Sequence, residues 1–126
     1  MTIISLEGII GVDKTLYLKR LEQEYHEPDL RFYENSPYIL NAIQPGLNLK
    51  VDWVPNVIIY LFCSPYICHS HVNRNTNPLD HLLDLHTRYE IICDELNCPI
   101  KIYKVNAQEE TDTVYRNIKD IIDKIH

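Results

Sequence analysis

The segment from Val57 to Cys63 constrains the fold most, because all seven of its residues are apolar. A continuous apolar run of this length is typical of a strand that is covered on both faces in a parallel sheet. It is far shorter than the ~20 residues that a membrane-spanning helix requires. The run therefore predicts a buried central strand in an α/β domain.

Strand and helix patterns alternate along the rest of the chain. Further strands are predicted at Thr2–Leu6, Leu30–Tyr33 and Ile100–Val105. Helices are predicted over Lys14–Tyr25, from Pro65, from Pro78 to a point before Pro99, and along an apolar stripe from Val114 to Ile125. Prolines interrupt every pattern between residues 26 and 56 before it reaches helical length. We therefore predict a three-layer α/β fold, with a small parallel sheet flanked by helices, in a single domain over residues 1–126.

The charge balance excludes two classes of function. The chain has 12 Lys and Arg residues against 18 Asp and Glu residues, which gives a formal net charge of −6. A general nucleic-acid binder or a protein of anionic membrane surfaces needs the opposite excess to neutralise phosphates. Because Met1 leads directly into a patterned segment without a preceding basic region, we also expect no secretory signal and a cytoplasmic location.

The cysteines allow two interpretations. The chain has four of them in two pairs of Cys-x4-Cys spacing: Cys63, Cys68, Cys93 and Cys98. With His69 and His71 nearby, this set could form a zinc module. However, Cys63 ends an apolar run and Cys93 lies on the apolar side of a helical pattern, as small core residues do. We therefore expect reduced core thiols and no zinc, and the zinc module remains the alternative.

The segment from Gly8 to Thr15 lies between the first predicted strand and the first predicted helix. It matches G-x-x-x-x-G-K-[ST] except at the second glycine, and its residues are Gly8-Ile9-Ile10-Gly11-Val12-Asp13-Lys14-Thr15. In such a loop the backbone amides surround the β-phosphate, the lysine reaches the β- and γ-phosphates, and the hydroxyl holds Mg²⁺ at a helix N-terminus. The sequence therefore predicts a phosphate-binding loop with Gly8, Gly11, Asp13, Lys14 and Thr15 at the nucleotide.

Asp13 is the departure in this loop, because it places a Cβ and a negative charge where phosphates would approach. Two like charges ~4 Å apart repel by roughly 4 kcal/mol at an effective dielectric constant of ~20. That energy corresponds to about a 10³-fold loss of affinity. Lys14 or Mg²⁺ would offset part of it, so we expect nucleotide binding to be weakened.

Three segments resemble the deoxynucleoside kinase family, which includes thymidine and deoxycytidine kinases. Ile3–Leu16 is similar to the family pattern I-x-x-E-G-N-I-G-x-G-K-S-T. Val57–Pro65 with Cys68 is similar to a family strand that precedes S-P-E-x-C, and Leu85–Glu90 is similar to L-H-x-x-Y-E. The resemblance implies a P-loop kinase-like fold that transfers a phosphoryl group from ATP, with Mg²⁺, to the 5′-hydroxyl of a deoxynucleoside.

The resemblance also implies a metal ligand and an acceptor-side residue. In the family an E-R-S motif after the third strand supplies a carboxylate for Mg²⁺ and an arginine near the phosphoryl acceptor. The corresponding segment here is Glu34-Asn35-Ser36. It keeps Glu34, which would hold the metal together with Thr15, and has Asn35 in place of the arginine.

A general base and a lid are implied in the same way. The family's base is the glutamate of an E-P motif after the second strand, and Glu27-Pro28 is the matching dipeptide. Family members also close an arginine-rich lid over the phosphates after the S-P-E helix. In this chain Arg74 is the lid residue that would contact a phosphate.

The spacing of these segments implies that the chain lacks part of the family's structure. Only six residues separate Glu27 from Glu34, whereas a parallel crossover needs a dozen or more. Part of the helical region that builds the substrate pocket is therefore missing, and we expect impaired or absent catalysis. Three other hypotheses stay open. The chain could be an active kinase that binds a nucleotide as donor and a deoxynucleoside as acceptor, or an inactive relative that binds a second copy or a partner kinase. It could also be a thymidylate-kinase-like enzyme that acts on nucleoside monophosphates.

Overall fold

The computed structural model describes residues 1–9, 11–44, 46–70, 78–95 and 100–125. Strands and helices alternate through these ranges as the sequence predicts. The elements are β1 (Thr2–Glu7), α1 (Lys14–Glu24), β2 (Leu30–Glu34), α2 (Pro37–Ile43), β3 (Val57–Phe62), α3 (Pro65–Ser70), α4 (Leu79–Glu95), β4 (Lys101–Asn106) and α5 (Thr111–Ile125). The predicted start of α3 is confirmed, since Pro65 is its first residue and the Ser64 hydroxyl accepts the Tyr66 amide at 3.3 Å.

The strands within the described ranges form one parallel sheet in the order β2-β1-β3-β4. In β3, the residues from Val57 to Leu61 are buried, which confirms the predicted central strand. Because all the strands are parallel, the carboxyl ends of β1 and β2 lie at the same edge of the sheet. This edge positions the predicted phosphate loop.

Helices cover both faces of the sheet, so the predicted three-layer arrangement is confirmed. On one face, the core contains Leu21 of α1 and Ile118 of α5 against Ile59 of β3. On the other face, Ile43 of α2 and Tyr89 of α4 pack in a second cluster with strand residues. No helix in the described part of the chain is both long and apolar enough to cross a membrane.

α2 is an element that the sequence did not predict. We expected the prolines of residues 26–56 to prevent any helix there. Pro37 instead occupies the first turn of α2, where a proline has no hydrogen bond to lose. The helix has only seven residues, too few for a clear period, and it is stabilised by burial of Ile39 and Ile43.

The edge strand β2 is covered on one face only. Leu30 and Phe32 are buried, whereas Arg31 and Tyr33 on the other face are exposed. Trp53 stacks on Tyr33 with ring centroids 4.5 Å apart. This stacking covers part of the otherwise exposed face of the edge strand.

The core under α5 supplies a stability prediction. Ile118 is fully buried, so Ile118→Val removes one methylene from a packed environment and is expected to lower the free energy of unfolding by about 0.5–1.5 kcal/mol. Ile91 on α4 is 48% exposed, and Ile91→Val is the matched control, with an expected change below ~0.5 kcal/mol. Urea denaturation measures both. Equal losses in the two variants would contradict the assigned core.

Candidate functional site

The two glycines of the predicted phosphate loop allow close contacts that other residues would prevent. Gly11 has a φ of 106°, and a Cβ at this position would lie 2.7 Å from the Cβ of Cys68. A Cβ on Gly8 would lie 2.8 Å from the carbonyl oxygen of Leu61. Both distances are shorter than normal contacts, so the loop lies directly against α3 and β3.

Lys14 is the first residue of α1, and its side chain folds back under the loop. It is 8% exposed, and its Nζ donates to the carbonyl oxygens of Gly8 at 2.8 Å and Ile9 at 3.3 Å. Burial lowers the pKa of Lys14, while the carboxylates of Glu7 and Glu34 act in the opposite direction. The ammonium group is therefore held at the loop, close to two acidic side chains.

Asp13 forms the N-cap of α1. Its Oδ1 accepts a hydrogen bond from the Leu16 amide at 3.1 Å, and its φ of −81° requires no glycine. Within the loop, the Lys14 amide donates to Val12 at 2.9 Å and the Val12 amide donates to Ile9 at 3.3 Å. The amides of Leu16, Lys14 and Val12 thus already donate hydrogen bonds within the chain, at the position where a phosphate would bind.

Thr15 and Glu34 form a pair of oxygen ligands beside the loop. The Thr15 hydroxyl lies 3.1 Å from each carboxylate oxygen of Glu34, which is at the carboxyl end of β2. Mg²⁺ prefers oxygen ligands and commonly takes only one or two side chains, with phosphate and water completing the octahedron. These two residues fit such an ion. The structure therefore brings together the two predicted metal ligands.

Glu7 is a charged residue of this site that the sequence analysis did not single out. It is fully buried at the end of β1, where its Oε2 accepts hydrogen bonds from the Ser5 hydroxyl and, at 2.8 Å, from the Ser36 amide. Its Oε1 has no hydrogen-bond partner among the described residues. Burial raises the pKa of Glu7 from 4.5 to about 7. The sequence signal that could have identified Glu7 is its place as the one charged residue of the β1 segment, at the end of that strand.

Two cavities flank the loop. The first, of about 210 Å³, is lined by Gly8, Ile9, Lys14, Asn35, Leu40, Ile43, Gln44, Leu85 and Tyr89. The second, of about 230 Å³, is lined by Gly11, Val12, Asp13, Tyr17, Cys63, Ile67, Ala107, Gln108, Glu109 and Thr111. The first opens between α2 and α4, and the second opens towards α5. A molecule with a central phosphate chain has space on both sides of the loop.

Asn35 lies on the wall of the first cavity, directly after β2. Its φ of 56° is in the left-handed region, which asparagine tolerates better than most residues, and its amide donates to Leu6 at 3.1 Å. This is the position at which the resemblance implies an arginine. The side chain here is neutral, so this position lacks the cation of the family pattern.

Glu27, one of the predicted site residues, is not brought to this edge. Glu27 lies in the turn before β2, whereas Glu34 ends that strand. The four steps along β2 from Leu30 to Glu34 alone span ~13 Å at a rise of ~3.3 Å per residue. The structure therefore does not place Glu27 with Lys14 and Thr15. Arg74 lies outside the described residues.

The thiols belong to the core where they are described. Cys63, Cys68 and Cys93 are free and buried, as the sequence predicts for Cys63 and Cys93. Burial raises the pKa of Cys68 and of Cys93 to about 12. Within the described ranges, no group of three or more His, Cys, Asp or Glu side chains is arranged to hold a metal ion. Cys98 and His71 of the zinc hypothesis lie outside these ranges.

Comparison with known proteins supplies the fold family. No protein-family model matches the chain, and no curated protein matches its sequence. Among solved structures, deoxyadenosine kinase from M. mycoides with the products dCMP and a flexible dCDP matches with a TM-score of 0.71 and 12% identity, over 99% of this chain and 100% of that chain. The same enzyme with bound dATP matches with a TM-score of 0.59 and 12% identity, over 97% and 100%. The chain therefore has a deoxynucleoside kinase-like fold.

Proposed function

We propose that this chain, which has the fold of the deoxyadenosine kinase structures, binds a Mg²⁺–nucleoside triphosphate at its phosphate loop and transfers the phosphoryl group poorly or not at all. The observation that carries the proposal is the Thr15–Glu34 pair, 3.1 Å apart beside the buried Lys14. A hydroxyl and an ammonium group at the N-terminus of α1, with a carboxylate beside them, are the groups that a metal–triphosphate complex requires.

Each of these groups has a separate role in binding. The Nζ of Lys14 donates to the carbonyl oxygens of Gly8 and Ile9. When a nucleotide binds, Nζ would replace one of these hydrogen bonds with one to a phosphate oxygen. Thr15 and Glu34 would hold Mg²⁺, which neutralises phosphate charge when it is bound. Gly8 and Gly11 let the loop lie directly against β3 and α3, where a Cβ would meet Leu61 or Cys68. From the resemblance alone, Arg74 would add a lid contact.

Three features support weak or absent phosphoryl transfer. Transfer forms a bond between the γ-phosphorus and the 5′-oxygen, breaks the bond to the bridging oxygen of ADP, and requires a base for the hydroxyl proton. Glu27, the base implied by resemblance, lies at the other end of β2. Asn35 replaces the acceptor-side arginine, and Asp13 adds a negative charge at the phosphates.

The Lys14 assignment is tested by calorimetric titration with Mg²⁺-ATP. Lys14→Ala is expected to lower the affinity about 10- to 100-fold, because a charge-assisted contact contributes roughly 1.5–3 kcal/mol. Lys19→Ala is the matched control, since Lys19 is an exposed lysine on the same helix, and it should leave the affinity unchanged. An unchanged affinity in Lys14→Ala, or equal losses in both variants, would reject the proposed site.

A second candidate function is a non-catalytic binding partner of another copy or of a related kinase. It is favoured by a run of partly exposed apolar side chains after α2, which are Leu47, Leu49, Val51 and Val54. A turnover assay with ATP and a panel of deoxynucleosides separates the candidates. Binding of ATP without turnover would favour the partner function. Turnover with dTMP alone would instead favour a nucleoside-monophosphate kinase.

A further inference from the structure

The strand β2 leaves one side of the sheet open. Among the described strands its only neighbour is β1, in the order β2-β1-β3-β4. We propose that this edge binds the same edge of a second copy of the chain, with the two β2 strands antiparallel and centred on Phe32. The contact goes beyond the proposed function and does not depend on nucleotide binding.

The backbone of β2 directs alternate residues to the two sides of the strand. The Asn35 amide, directly after β2, donates to the Leu6 carbonyl of β1 at 3.1 Å. Because the ladder between parallel strands alternates, Arg31 and Tyr33 also use their backbone groups towards β1. The residues between them therefore direct their amides and carbonyls to the open edge, as in sheets that accept an added strand.

An antiparallel pair centred on Phe32 matches donors with acceptors at this edge. In each copy, the Phe32 amide would donate to the Phe32 carbonyl of the other copy, and the Glu34 amide would donate to the Leu30 carbonyl. The Leu30 amide is already used, since it donates to the Glu27 carbonyl at 3.2 Å. Each of the five residues of β2 then lies opposite a residue of the second copy. The register is self-complementary, as a two-fold interface requires.

Side chains on the exposed face of β2 also complement one another in this register. Arg31 would lie opposite Tyr33 of the second copy at a non-hydrogen-bonded pair, where facing Cα atoms are ~4.5 Å apart. Tyr33 is 40% exposed, and the Trp53 ring stacks on it. A guanidinium group over an aromatic ring is attracted by the ring quadrupole. The two-fold axis repeats the contact, so each arginine has an aromatic partner in the other copy.

The other edge strand, β4, differs in a way that disfavours the same pairing. It carries Lys101 and Lys104, and lysines on an edge strand are a common device against strand addition. β2 has neither a lysine nor a proline between Leu30 and Glu34. The sequence of the two edges therefore favours β2 as the one that pairs.

A groove beside β2 adds to the surface available for the contact. Tyr25 and His26, at the end of α1, line it together with Phe32 and Tyr33. The pairing of two short strands is only marginally stable by itself, so side chains of the second copy in this groove would supply further contact. We expect a weak dimer that dissociates on dilution rather than an obligate one.

Sedimentation equilibrium of the full chain over a range of protein concentrations tests the inference. The natural chain should show a monomer–dimer equilibrium. Tyr33→Lys places a like charge opposite Arg31 at both symmetric positions, and it should raise the dissociation constant of the dimer about 10-fold or more. Tyr38→Lys is the matched control, since Tyr38 is a tyrosine of α2 with a similar exposure of 38%, and it should leave the equilibrium unchanged.

Two further measurements separate a cross-strand contact from damage to the fold. Arg31→Glu combined with Tyr33→Lys places opposite charges across the interface and should recover the dimer that Tyr33→Lys loses. In the natural chain, hydrogen exchange at the Phe32 and Glu34 amides should slow as the protein concentration rises. The Arg31 and Tyr33 amides belong to the ladder with β1 and should not respond. The exchange experiment needs no variant, so it decides the question even if Tyr33→Lys does not fold.

Several outcomes would overturn the inference. A chain that stays monomeric at all concentrations would do so, as would a dimer that Tyr33→Lys and Tyr38→Lys weaken equally. A dimer abolished by Leu49→Lys but not by Tyr33→Lys would assign the contact to the apolar run after α2 instead. Each of these results leaves the proposed function standing, because titration with Mg²⁺-ATP tests that function separately.

Discussion

Replacing Asp13 by glycine is expected to raise the affinity for Mg²⁺-ATP by up to about 10³-fold. The Asp13 carboxylate caps the helix that would receive the phosphates, through its contact with the Leu16 amide. Like charges at ~4 Å repel by roughly 4 kcal/mol at an effective dielectric constant of ~20, which corresponds to three orders of magnitude in affinity. Calorimetric titration of Asp13→Gly beside the natural chain measures the difference.

Asp13→Asn separates charge from shape at the same position. Asparagine is an equally good N-cap and keeps the Cβ, but it has no charge. If charge repulsion weakens binding, Asp13→Asn should show most of the gain in Mg²⁺-ATP affinity. If the Cβ is the obstacle, only Asp13→Gly should show the gain. Stability should change little in either variant, because glycine at an N-cap costs only a few tenths of a kcal/mol. No gain in either variant would show that Asp13 does not weaken the site.

Glu7→Gln is expected to remove a pH-dependent loss of stability. Burial raises the pKa of Glu7 from 4.5 to about 7, so the folded chain keeps a proton that the unfolded chain releases. The stabilisation from this proton is fully present below about pH 4.5 and is lost as the pH rises through about 7. At ~1.4 kcal/mol per pKa unit, the loss is on the order of 3 kcal/mol. Glutamine does not titrate and should show no such loss.

Urea denaturation of the natural chain and of Glu7→Gln at several values between pH 4 and pH 8 measures this effect. The difference in unfolding free energy between the two proteins should change by about 3 kcal/mol across that range, in favour of the variant at pH 8. Glu22→Gln, at an exposed position of α1, controls for the loss of one negative charge. A constant difference for Glu7→Gln would mean that this carboxyl group has an ordinary pKa.

Most of the fold was predictable because its signals are local. The apolar run of β3 and the periodic apolar stripe of α5 depend only on neighbouring residues, and both elements form where the patterns indicate. α2 was missed because its seven residues carry too few turns for a period, and because Pro37 has opposite effects at the start of a helix and inside one. Its stability comes from contacts with α4, which are distant in sequence.

The candidate site was predictable only in part. The motif located Lys14 and Thr15 and the resemblance located Glu34, and the structure brings these three together. The sequence could not show that Glu27 and Glu34 lie apart. The two are only seven positions apart in the chain, but Glu27 lies in the turn before β2 and Glu34 lies at the carboxyl end of that strand. The burial of Glu7 could not be predicted either, since it depends on contacts distant in sequence, such as the hydrogen bond from the Ser36 amide.

The sequence by itself determined the alternation of strands and helices, the central buried strand and the loop that follows β1. Each of these follows from the type and spacing of residues close together in the chain. Only the tertiary structure decided which carboxylates share an edge with Lys14, how Glu7 loses contact with water, and how wide the cavity between α2 and α4 is. Those properties depend on packing between residues far apart in sequence, such as the hydrogen bond from Arg88 to Ile43, which no local pattern encodes.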